Sequence, residues 1–190
     1  PSENYVLSIG RLESVKRVDL AIRAMAYAPA DVRLVIAGTG TQRESFERLA
    51  ASLDLSRRVT FLGEVDDARA IALFAGALAV IYPPFDEDFG YVTLEAFLAH
   101  KPVVTTVDAG EPTMFVRDGE TGLVTAPEPA ALGEAIARTA SAESLPALLY
   151  WYSSVLNYFV PSGGSKWAIR AKPPRDTVTS IGLVLRGPWE

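Results

Sequence analysis

The sequence predicts an α/β fold: a Rossmann-like parallel sheet with flanking helices, followed by an atypical C-terminal tail. Three observations carry that expectation. Apolar runs of about five residues alternate with amphipathic stretches from the start of the chain to Ala142, the rhythm of strand-helix units on a parallel sheet. Glycines follow the first three apolar runs and prolines the fourth, as expected where strands stop at one edge. The amphipathic stretches repeat at helical spacing rather than every second residue.

Taken in order, strands are expected at 5–9, 32–37, 59–62, 77–82, 102–105 and 122–124, each a short run dominated by Val, Leu, Ile, Ala, Phe or Tyr. Helices are expected at 18–27, 42–53, 68–75, 91–99 and 129–139, with a single turn at 112–116. The first of these places Val18, Ala21, Ile22 and Met25 at i, i+3, i+4 and i+7, the spacing of one buried face. Those four residues read as core.

The 190 residues are half apolar and 22% charged, enough for one well-buried domain and too few for two large ones. A net charge of -5 without any Lys/Arg block excludes a nucleic-acid binder, whose affinity comes from neutralising many phosphates. There is no cysteine and one histidine, so disulfides, thiolate metal sites and histidine clusters are excluded. That usage fits a cytoplasmic protein. Residues 1–4 lead straight into a strand with no signal segment, and the chain reads as cut at its front.

Two domains of unequal character are expected, 1–142 as the sheet domain and 143–190 as the tail, because the alternation stops after Ala142. Residues 144–165 carry no charge, but Pro146, Asn157, Pro161 and the Gly163-Gly164 pair interrupt them short of the about twenty apolar residues a bilayer demands. An amphipathic packing helix bearing Leu148, Tyr152, Val155 and Phe159 is expected instead, with a last strand at 177–185. Through its apolar face the tail is expected to cover the sheet domain or to associate with another copy.

Ligands of open parallel sheets bind beyond the carboxyl ends of the strands, so the loops there hold the candidate chemistry. In the first, Gly10, Arg11 and Lys16 offer a close backbone approach, a fork donor and a point charge, which suit a diphosphate. Gly38 in the second and Val65 in the third are candidate walls for a base. The fourth loop is the most informative. An acidic run, Asp86-Glu87-Asp88, leads through Phe89 and Gly90 into a helix beginning Tyr91-Val92, whose N-terminal N–H groups suit a phosphate oxygen. One turn on, Glu95 can accept two hydrogen bonds from a vicinal diol such as a ribose. Phosphate beside ribose means a nucleotide. Asp86 and Asp88 also have the spacing of a chelating pair for a divalent ion, the weaker reading because Arg11 and Lys16 already supply compensating charge. His100 falls at the far end of that helix and reads as a surface residue.

In order and spacing, Ser8-Ile9-Gly10-Arg11-Leu12 with Lys16, Val35-Ile36-Ala37-Gly38-Thr39-Gly40, Glu87-Asp88-Phe89-Gly90 through Glu95-Ala96, and Asp118-Gly119-Glu120-Thr121-Gly122-Leu123-Val124 resemble the donor-binding C-terminal half of the retaining GT-B glycosyltransferases of family 4, the group 1 transferases. The resemblance covers residues 5–142. Glu87 and Glu95 match the family's E-x7-E motif. It implies that Arg11 and Lys16 hold the diphosphate of a nucleotide-sugar donor, Glu95 its ribose and Glu87 the transferred sugar, with no metal or other cofactor. It also implies a second, N-terminal acceptor domain absent from this sequence, and peripheral attachment of the full-length enzyme at the inner membrane face. A lone donor half is expected to turn over little.

The chain departs from the family's pattern in three ways. The acceptor half is absent. Glu111 stands where relatives carry a glycine and Met114 where they carry a glutamate, adding bulk and negative charge beside the donor's sugar phosphate. The tail does not resemble the family's closing helix. Residues 157–167 instead resemble a segment of short-chain fatty-acid carriers, which would make the chain a chimera. A Rossmann-like scaffold that binds no ligand and self-associates through the tail is the alternative reading, whereas a dinucleotide-binding dehydrogenase lacks its Gly-x-Gly-x-x-Gly after the first strand.

Overall fold

The computed structural model describes residues 4–141. The expected helix and strand of the tail, its self-association and its carrier-like segment all lie outside the described residues. Within them, six parallel strands form one sheet: β1 (Tyr5–Ile9), β2 (Arg33–Ala37), β3 (Val59–Gly63), β4 (Ala79–Ile81), β5 (Val103–Thr106) and β6 (Gly122–Thr125). The helices are α1 (Val18–Ala24), α2 (Arg43–Ser52), α3 (Asp67–Gly76), α4 (Tyr91–Leu98), α5 (Pro112–Phe115) and α6 (Pro129–Ala140), with a 3-10 turn at Ser14–Lys16. The strand order is β3-β2-β1-β4-β5-β6. The chain winds outward from β1 to β3, then returns to β1's other side, leaving a switch point between β1 and β4.

Every strand and helix expected within the described residues is present, β1 with the expected bounds and the others with ends shifted by a few residues. The expected helix at 18–27 stops at Ala24, and beyond it Met25, Ala26 and Tyr27 bond back three residues instead of four. The Arg58 guanidinium then takes the carbonyls of Met25, Ala28 and Pro29, a cap delivered from the turn that leads into β3. The strand expected at 77–82 is regular over Ala79–Ile81; Leu78 and Tyr82 still donate their N–H groups to the Tyr5 and Val104 carbonyls of the neighbouring strands, whereas Ala77 is spent capping α3.

Successive strand residues feed opposite layers. On β1, Val6 joins the layer beneath α1, α2 and α6 with Leu34, Ile36, Ile81, Val104 and Leu123. Leu7 joins the other, with Val35, Phe74, Val80, Ala96 and Val103. Val18, Ala21, Ile22 and Met25 are all buried, so the predicted stripe is core. Both faces of the sheet are covered, which leaves its carboxyl edge as the place for polar chemistry. No helix among the described residues is long and apolar enough to cross a membrane.

Candidate functional site

Three loops meet beyond the carboxyl ends of β1, β4 and β5. The β1 loop is braced on its outer side by the β2 loop. Leu12 donates its N–H to the Thr39 carbonyl at 2.8 Å, and the Glu13 carboxylate accepts from the backbone and hydroxyl of Thr41 at 3.0 and 2.7 Å. Those bonds, the backbone one foremost, hold the Glu13 pKa below the usual carboxylate range. Gly38 makes the brace possible: a Cβ there would collide with the carbonyl oxygen of Gly10. Its lack of a side chain serves the approach of two protein loops.

The acidic loop is held as a short extension of the sheet. Asp86 and Glu87 donate their N–H groups to the carbonyls of Asp108 and Ala109, and Glu87 accepts from the Glu111 N–H, each at 3.0 Å. A Cβ on Gly110 would sit 2.6 Å from the Glu87 nitrogen and oxygen, so a glycine is required at this contact.

One guanidinium fastens all three loops. Arg17 donates to the Pro83 carbonyl at 2.8 Å, the Pro84 carbonyl and Thr106 hydroxyl at 2.7 Å, and both Asp108 oxygens at 2.9 and 2.7 Å. The Arg17 bonds hold the Asp108 carboxyl below its ordinary range. Arg17 itself has left-handed backbone, φ 48°, where the 3-10 turn meets α1.

The cleft so framed has a volume of about 360 Å³ and lies over the switch point. Gly10, Arg11, Lys16, Glu87, Phe89, Gly90, Tyr91 and Val92 all line it. Lys16 and Glu87 form an ion pair within it, and Tyr82 places its hydroxyl 3.0 Å from the same Glu87 oxygen and 3.5 Å from Lys16 Nζ. Burial, with the charge of Glu87, pushes the Tyr82 phenol well above its ordinary range, so it stays a neutral donor. Arg11 is exposed on the same cleft. The N-terminus of α4, capped by Gly90, closes the far wall, where the Phe89 ring packs against Tyr91 and Phe115 at 4.6 and 5.6 Å between centroids.

The other expected site residues lie elsewhere. Gly38 packs on Gly10 as described, and Val65 sits in the β3 loop at the sheet's outer edge, two strands from the cleft. Glu95 is one turn deeper in α4, outside the lining. Burial, with Asp67 at the start of α3, raises its carboxyl to about 7. Glu111 and Met114 do not line the cleft either, and Met114 is 76% exposed. His100 is exposed at the C-terminal end of α4, away from the cleft. Among the described residues, no three His, Cys, Asp or Glu side chains gather at metal-binding spacing. Sequence reasoning missed two residues, Arg17 and Tyr82. The adjacent cations Lys16-Arg17 on a predicted loop were the available signal for the first, and a phenol at a strand's carboxyl end for the second.

A doubly wound parallel sheet with a cation-lined cleft and a helix N-terminus over its switch point is a ligand-binding α/β domain of the kind suited to phosphate-bearing molecules. The sequence profile described as glycosyl transferases group 1 matches residues 1–150, and the chain belongs to that family. It is similar to the D-inositol 3-phosphate glycosyltransferase of Mycolicibacterium paratuberculosis, 38% identical over 129 residues, which are 65% of this chain and 29% of that protein. The chain therefore spans less than a third of that relative's length. Among solved structures it resembles S. aureus TarM in complex with Fondaparinux, alpha-GlcNAc-glycerol and UDP, with TM-score 0.74 and 20% identity over 82% of this chain and 32% of that one. It also resembles Anabaena Alr3699/HepE in complex with UDP and glucose, with TM-score 0.64 and 24% identity over 83% and 49%. These structural likenesses concern the fold.

Proposed function

We propose that this chain is the nucleotide-sugar donor-binding domain of a retaining family 4 glycosyltransferase, working with an N-terminal acceptor-binding half. The observation that carries the reading is the convergence of Arg11, Lys16, Glu87 and the α4 N-terminus on one cleft at the switch point. Family membership and the UDP bound to TarM and HepE support it.

In this reading Arg11 and Lys16 take the diphosphate, aided by the positive end of α4. Glu87 accepts hydrogen bonds from the transferred sugar, and Glu95, which stands one turn below the lining, takes the ribose by the family's pattern. As an acceptor hydroxyl attacks the anomeric carbon, the bond to the diphosphate breaks and charge accumulates on the departing phosphate oxygen. Two cations that meet that charge more closely than they meet the intact donor lower the barrier. The scaffold alternative drew on Glu111 and Met114, and their position off the cleft gives it no support.

Calorimetric titration with UDP, GDP and ADP tests the proposal beside an Arg11→Ala, Lys16→Ala double variant. Saturable binding that the double variant loses is expected. Failure of all three nucleotides to bind would overturn it.

A further inference from the structure

The cation assigned to the diphosphate already has a carboxylate partner within the fold. Lys16 is paired to Glu87, a residue brought from the β4 loop, and the two side chains are only 16% and 21% exposed. A diphosphate can engage Lys16 fully only by drawing it away. Glu87 would then be a largely buried carboxylate retaining just the Tyr82 hydroxyl at 3.0 Å, and stripping one partner from a buried pair is strongly unfavourable. A ligand that brings hydroxyl donors to Glu87 as it takes Lys16 avoids that penalty. A nucleotide sugar has such hydroxyls; a bare nucleoside diphosphate does not.

We infer that the Lys16–Glu87–Tyr82 cluster sets specificity by making the cleft favour intact sugar nucleotides over bare nucleoside diphosphates. The inference rests on the donor-binding reading above and adds a specificity element to it. Because sugar transfer leaves a nucleoside diphosphate behind, the same cluster would favour its release. When the diphosphate departs, Lys16 returns to Glu87. Tyr82 is then a positioning residue: it holds the carboxylate in place through the interval when Lys16 is engaged elsewhere.

The two variants Glu87→Gln and Tyr82→Phe pull in opposite directions, which a merely structural role would not produce. Glu87→Gln frees Lys16 without leaving a charge behind, so inorganic pyrophosphate and the nucleoside diphosphate should bind about tenfold or more tightly. Its preference for the sugar nucleotide should collapse. Tyr82→Phe keeps the ion pair but removes the hydroxyl that supports Glu87 once Lys16 leaves. It should weaken the nucleoside diphosphate more than the sugar nucleotide, so the preference rises.

The full chain and both variants would be titrated calorimetrically with pyrophosphate, UDP, GDP and ADP, and with UDP-glucose, GDP-mannose and ADP-glucose. Unchanged or weaker pyrophosphate and nucleoside diphosphate binding in Glu87→Gln, with wild-type nucleotide binding intact, would overturn this inference alone. Tighter pyrophosphate in Glu87→Gln with no nucleotide bound by any chain would uphold the competition for Lys16 and overturn the nucleotide-sugar reading. No binding of any probe would overturn both.

Discussion

Removing the Arg17 guanidinium should loosen the site before it unfolds the domain. The side chain is 19% exposed and makes five hydrogen bonds of 2.7 to 2.9 Å, two of them to the Asp108 carboxylate. Charge-assisted bonds of this kind contribute about 1.5–3 kcal/mol each, but bonds sharing one head are far from additive. Asp108 remains a third exposed, so water recovers part of the loss. Arg17→Met, which keeps the apolar stem, should therefore cost about 3 kcal/mol of global stability. Arg17→Gly should cost less, about 2 kcal/mol, because glycine relieves the left-handed backbone at φ 48° while losing the same head group. Urea unfolding followed by circular dichroism measures both, and amide exchange at Asp86 and Glu87 reports whether the acidic loop opens first. A loss below about 1 kcal/mol in Arg17→Met would refute the clamp, and a glycine variant less stable than the methionine one would refute the backbone argument.

Other perturbations give equally definite outcomes. With its carboxyl raised to about 7, Glu95 binds its proton more tightly folded than unfolded; its contribution to stability is greatest below about pH 4.5 and is lost as pH rises through 7. Glu95→Gln should thus be the more stable chain at pH 8 by about 2 kcal/mol and indistinguishable at pH 4, and parallel stability curves would refute the burial argument. Gly38→Ala should separate the β1 and β2 loops, costing about 2 kcal/mol or more, which thermal unfolding would register as a fall of several degrees.

The strands were legible because burial on both faces writes them as unbroken apolar runs, and β1 was bounded to the residue. Helix ends were less so: nothing in residues 18–27 announces that Arg58 will take the carbonyls at their end. Much of the candidate cleft could be read because it is built from loops at strand ends, a position topology fixes. Side-chain direction could not be. Lys16 and Arg17 are adjacent cations, yet one faces the cleft and the other turns away from it to grip Asp108, 91 residues along the chain. The glycines of the β2 loop look like a ligand-binding turn in one dimension and prove to be a seam between two loops in three. Tyr82 reads as the last apolar residue of a strand, and only its position opposite Glu87 gives the hydroxyl a role.

The strand order has a bearing on how the protein is made. The first strand of this domain, β1, ends at the sheet's interior, paired to β2 on one side and to β4 on the other through Val6 with Ala79 and Leu7 with Val80. During synthesis its second neighbour leaves the ribosome some seventy residues after it. At about 5–20 residues per second, a hydrophobic edge that the finished sheet conceals stands open for several seconds. A nascent chain arrested before Ala79 would offer that edge to any passing strand.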